Sequence, residues 1–182
     1  MTSKNGRRRL LISGAAALGC AVAGKAGAAV LRVPDRRHLA LHNPHTGESV
    51  DLVYWANGTY EPGALHRIDH LMRDFRTDEV RPIDRRLLDV LVQLNRRLDR
   101  TAPFQVISGY RSPQTNAMLE TVSDGVAHHS LHMQGMAIDI TIPDRPLSSL
   151  HRAALSLQAG GVGYYPASNF VHIDVGRVRR WG

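Results

Sequence analysis

A chain of 182 residues, 43% of them hydrophobic, is long enough for one domain with its own core. Its formal net charge of +7 points first to nucleic acid, but Lys4, Arg7, Arg8, Arg9 and Lys25 all lie in the first 28 residues, which hold no acid. Beyond them eighteen basic residues face sixteen acidic ones, interspersed rather than clustered, which argues against nucleic-acid binding. The single cysteine, Cys20, lies in the same stretch, so the rest of the chain has no disulfide framework, thiolate metal site or cysteine nucleophile, and any metal must be held by imidazole and carboxylate.

Residues 1–28 read as an export signal. Arg7–Arg9 form a basic head, Leu10 to Ala23 an apolar centre, and Ala26-Gly27-Ala28 a small-residue cleavage site. The run Arg7-Arg8-Arg9-Leu10-Leu11 resembles a twin-arginine signal, which would direct the chain through the twin-arginine export machinery to the periplasm or cell envelope. The apolar centre is short for a membrane span, and retention as an uncleaved anchor stays open. Residues 29–36 read as a flexible lead-in, and 37–182 as a single domain.

Within that domain, HLALHNPHTGESVDLVYW (38–55) alternates about a turn at Asn43–Gly47 and predicts a β-hairpin. ANGTYEPG reads as a linker. Leu65, Ile68, Leu71, Met72 and Phe75 have helical spacing. Pro82 opens a longer helix with Ile83, Leu87, Leu88, Leu91, Leu94 and Leu98 on one face. FQVIS (104–108) predicts a buried strand, and Ser112-Pro113 starts another helix. Residues 123–135 form a loop in which Asp124 and His128 read as surface residues. GMAIDITI is a strand, PLSSLHRAALSLQA a helix, and GGVGYY and FVHIDVG are strands about a turn at Pro166–Asn169. The connections are too short for repeated βαβ units, so the expectation is α+β with a largely antiparallel central sheet.

Three motifs fail. Gly161-Val-Gly163 lacks both a third glycine and a following helix, so it is no dinucleotide loop. His128 and His132 are four apart, but Gly125, Ser130 and Gly135 make a poor zinc helix. No G-x-S-x-G elbow occurs. His132, Asp139 and His172 remain. Strand alternation puts Ala137, Asp139 and Thr141 on one face, and Phe170, His172 and Asp174 on one face. Neighbouring strands would bring Asp139 and His172 together, with Gly135 turning His132 over them. Two imidazoles and a carboxylate with an open fourth position are what a catalytic zinc requires. The alternative is three histidine and aspartate side chains with ordinary core or surface roles.

SGYRSPQTNAML (108–119), SLHMQGMAIDI (130–140) and GGVGYYPASNFVHIDVGRVRRW (160–181) together resemble the YcbK-like murein endopeptidase branch of the zinc D-alanyl-D-alanine carboxypeptidase superfamily, which also takes in lysostaphin-like and hedgehog-like domains. The resemblance implies a hedgehog/DD-peptidase-like fold with helices packed on one side of the sheet. It also implies Zn2+ on His132, Asp139 and His172, and the stem peptides and cross-links of peptidoglycan as substrate. Arg111 matches the family's substrate-facing arginine and would bind a carboxylate or an oxyanion. Ser130 and Gln134 could donate to the substrate backbone.

The general base departs from better-known relatives. Those place Glu or Asp three residues before the last histidine, or His two before it, whereas here Asn169 and Phe170 stand there. Asp174 is the first substitute, as a base or as a group that orients a ligand, and His129 is the second. The reading is therefore a zinc-dependent murein endopeptidase. The alternatives are a D-alanyl carboxypeptidase, or a catalytically silent zinc module that binds peptidoglycan.

Overall fold

The computed structural model describes residues 36–122 and 127–182. The expected signal (1–28), residues 29–35 of the lead-in, and Asp124 lie outside the described residues. Arg36, the last lead-in residue, already belongs to the first strand.

The hairpin forms from β1 (Arg36–His42) and β2 (Ser49–Ala56). Its turn is held by Asn43, whose side-chain oxygen accepts the His45 and Thr46 amides, and closes at Gly47 with φ +74°. The segment expected to be a linker adds a strand instead. Asn57 and Gly58 both have positive φ, 54° and 87°, as a tight type I′ turn needs, and β3 (Thr59–Tyr60) folds back on Trp55 and Ala56. Two paired residues are too few to leave an alternation pattern.

Helix α1 (Pro62–Leu71) follows, and α2 (Arg85–Leu98) begins three residues after Pro82. Asp84 sets that start, because its side chain accepts the Arg86 amide as an N-cap. Leu87, Leu88, Leu91 and Leu94 are fully buried, each contributing about 1.5–3 kcal/mol of transfer free energy. The chain continues through β4 (Phe104–Ser108), α3 (Pro113–Val122), a 3-10 turn (Leu131–Gln134), β5 (Ala137–Thr141) and α4 (Leu147–Leu157). It ends in β6 (Gly161–Tyr165), β7 (Phe170–Asp174) and β8 (Arg179–Trp181). The last strand, short and rich in arginine, was not expected from the sequence.

The fold is α+β, with four α-helices and one open eight-stranded sheet among the described residues, in the order β3-β2-β1-β4-β5-β7-β6-β8. Five of its seven strand pairs are antiparallel; β1–β4 and β6–β8 are parallel, so the sheet is mixed. Ile138, Ile140, Val171 and Ile173 join the apolar core, together with Leu91 and Leu94 of α2 and Leu150 of α4. No helix among the described residues is long and apolar enough to cross a membrane.

Candidate metal centre

The opposite face of the same strands carries the polar residues. Asp139 on β5 pairs directly with His172 on β7, which pairs with Gly163 on β6, which pairs with Trp181 on β8. Ser108 on β4 lies on the other side of Asp139, after an irregularity in the β4–β5 register. One line across five strands thus reads Ser108, Asp139, His172, Gly163, Trp181.

His132 reaches this line from the 3-10 turn. Ser130 caps that turn by accepting the His132 amide at 3.3 Å, and Gly135, at φ +67°, ends it. Gly135 is pinned: its carbonyl accepts the Asp84 amide, and a Cβ there would stand 2.6 Å from the Pro82 carbonyl. His132 Nε2, His172 Nδ1 and Asp139 Oδ1 form a triangle with edges of 3.1, 2.9 and 3.3 Å. Tetrahedral ligands at about 2.0–2.2 Å from a zinc lie about 3.3–3.6 Å apart, so an ion fits above this triangle with minor spreading. All three side chains are almost entirely covered.

Each imidazole has its other nitrogen occupied. His132 Nδ1–H donates to the Gly109 carbonyl at 2.7 Å, which leaves Nε2 bare toward the centre. Gly109 itself has no room for a side chain: a Cβ would meet the Met72 carbonyl at 2.4 Å, and that carbonyl also accepts the Tyr110 amide at 2.7 Å. His172 Nε2–H donates to Asp174 Oδ2 at 3.1 Å, leaving Nδ1 for the centre.

Asp174 is fully buried and accepts five N–H groups, from His172, Gly161, Gly176 and both terminal nitrogens of Arg179. Burial alone would raise its carboxyl pKa, but His172, Arg179 and two backbone amides outweigh it and hold the group well below the usual carboxylate range. The Gly160-Gly161-Val162-Gly163 stretch makes space for this arrangement. A Cβ at Gly161 would lie 2.4 Å from Asp174 Oδ2, and one at Gly163 would lie 2.6 Å from the Trp181 indole.

The triangle's charges are coupled. Burial lowers the His132 pKa, in line with a neutral imidazole. For Asp139 burial acts upward, but the two histidines outweigh it and hold it low. For His172 burial acts downward, and Asp139 and Asp174 outweigh it, raising the pKa to about 9. A proton on His172 Nδ1 therefore competes with a metal for the same lone pair. Zinc uptake by the metal-free chain at about pH 7 is expected to release close to one proton, with affinity falling about tenfold per pH unit on acidification. Titration calorimetry in buffers of different ionisation enthalpy checks this; uptake with no proton release would contradict it.

A cleft of about 400 Å³ opens over the triangle, lined among others by Arg111, His129, Ser130, Tyr165, Phe170 and Trp181. Arg111 is buried; its Nη2 lies 3.7 Å from Asp139 Oδ2, its Nη1 donates to Asn116, and its Nε has no partner among the described residues. Burial lowers its pKa, against the attraction of Asp139. His129 is exposed on the cleft wall. Gln134 is exposed and outside the cleft lining, and His128 pairs at 2.8 Å with Glu120. Sequence reasoning did not pick out Tyr165, Phe170 and Trp181, although an aromatic at every few positions of YYPASNF and RRW was visible.

Residues 32–181 match the family model described as Peptidoglycan L,D-endopeptidase MepK. The chain belongs to this family. Peptidoglycan L,D-endopeptidase MepK of Escherichia coli K12 is 45% identical over 175 residues, covering 96% of each chain. The Shigella flexneri protein of the same name has the same identity and coverage. The Haemophilus influenzae protein, a probable peptidoglycan L,D-endopeptidase MepK, is 40% identical over 176 residues, covering 96% of this chain and 95% of its own.

Proposed function

We propose that this member of the MepK family is a zinc-dependent murein endopeptidase that hydrolyses L,D peptide bonds in the cross-links of peptidoglycan. The observation that carries the reading is the triangle of His132, Asp139 and His172, open to a cleft, in a chain that matches the family from end to end of its domain. A peptide cross-link can join two diaminopimelates or follow D-alanine, and the relatives' L,D designation favours the first. The basic head at Arg7–Arg9 supports twin-arginine export, which would bring a folded chain to murein in the periplasm.

Zinc bound by His132, Asp139 and His172 would supply Lewis-acid polarisation of the scissile carbonyl and activation of water near neutral pH. The other roles fall to the chain itself. Gly109 and Asp174 hold the two imidazoles in the tautomer and orientation a ligand needs. Arg111 lines the cleft beside Asp139 and offers its positive charge to a substrate carboxylate. Ser130, whose oxygen accepts the His132 amide, keeps its own hydroxyl hydrogen for the peptide backbone. Gln134, outside the cleft lining, is assigned no substrate contact. With Asp174 saturated by donors, His129 is the side chain left on the wall to take a proton from water.

The test is mass analysis of purified chain incubated with L,D-linked and D,D-linked muropeptide dimers. The expected result is monomers from the L,D-linked dimer alone, abolished by a chelator and restored by zinc. Release of free D-alanine would make the chain a carboxypeptidase. Retention on sacculi without any product would make it a silent binding module.

A further inference from the structure

We infer that Tyr165 is a further catalytic residue, a neutral hydrogen-bond donor to the scissile carbonyl oxygen, and that Trp181 is the residue that positions it. The inference rests on the endopeptidase reading above.

An indole N–H can only donate, so in the 2.8 Å bond between Trp181 Nε1 and Tyr165 Oη the phenol must be the acceptor. The phenol hydrogen then points away from the indole, and it has no acceptor among the described residues. Tyr165 is half-buried and lines the cleft, so that free donor faces the space where a substrate lies. Arg111 lines the same cleft.

The phenol is held from two directions. Phe170 stacks on its ring with centroids 4.6 Å apart, and Trp181 holds its oxygen. Trp181 in turn lies 5.2 Å from the His172 ring, carries the Arg179 guanidinium at 4.8 Å, and packs against Gly163. A donor fixed before substrate arrives spends no reorganisation when charge develops. During hydrolysis the water oxygen bonds to the carbonyl carbon, the C–N bond breaks, and the amine leaves with a proton that originates in the water. Tyr165 keeps its own proton throughout; its bond to the carbonyl oxygen strengthens as that oxygen gains charge.

The experiment compares wild type, Tyr165→Phe and Trp181→Phe on an L,D-linked muropeptide dimer, and measures the binding of a phosphinate isostere of its scissile bond and the zinc content. For Tyr165→Phe, kcat is expected to fall about 10²-fold with KM within about threefold, and phosphinate affinity to fall by the same factor as kcat/KM. Zinc content should stay at the wild-type level. Trp181→Phe keeps an aromatic ring without the N–H, and should lose about tenfold in the same two quantities. Unchanged kcat in Tyr165→Phe, or a loss confined to KM or zinc, overturns the inference while leaving the endopeptidase intact. A wild type that leaves the dimer whole overturns the endopeptidase reading and the inference with it.

Discussion

His132→Ala is expected to strip the metal from the chain and to lower kcat on an L,D-linked dimer by about 10³-fold or more. His132 is the only member of the triangle that comes from outside the sheet, and its Nε2 is aimed by a single bond from Nδ1–H to the Gly109 carbonyl. Removing the ring leaves one imidazole and one carboxylate, too few donors to hold zinc against water. The fold should survive: the variant leaves the buried Gly109 carbonyl without its donor, a cost of about 1–3 kcal/mol. Metal analysis, circular dichroism and turnover measured on the same preparation check this. A folded variant with full zinc and turnover within about tenfold of wild type would remove His132 from the centre.

Asp174→Ala is expected to have the largest effect on stability. Five N–H groups converge on this carboxylate, and the side chain is fully buried. Arg179, one-third exposed, can turn to water, but the Gly161 amide and the far nitrogen of His172 cannot easily do so. A loss of about 3 kcal/mol follows, the lower end of the range for breaking a buried pair. With His172 no longer oriented, zinc affinity should fall about 10–100-fold. Urea unfolding and chelator competition read these two quantities. A general base would behave differently, since its removal would lower kcat while leaving unfolding and zinc affinity where they were.

Much of the architecture was legible because burial leaves a period. The hairpin, the long leucine face of α2 and the alternating runs around Asp139 and His172 each carry their own spacing, and the pairing of those two residues follows once the strands are neighbours. The missing strands were short: β3 rests on one tight turn, and β8 on three residues, two of them arginines. The start of α2 was misjudged because proline is a weaker signal there than the Asp84 cap.

At the site, alternation put Asp174 on the right face but could not say which nitrogen of His172 it would meet, and that choice separates an orienting carboxylate from a base. The glycines of 160–163 carried a meaning hidden in the sequence. Their missing side chains are needed by Asp174, Arg179 and Trp181, which come 13 to 18 positions later in the chain. No local pattern encodes such a demand.

The tether of Gly109 to the end of α1 has a wider consequence. Met72 and Leu71 belong to the apolar core; the Leu71 carbonyl is held by Asn43 of the hairpin turn, and the Met72 carbonyl fixes the backbone that aims His132. Loosening the interior on the hairpin side therefore tilts an imidazole it never touches. The grip on the cation becomes a gauge of how well the far half of the molecule has folded, so damage remote from the cleft would first be seen as sensitivity to chelators.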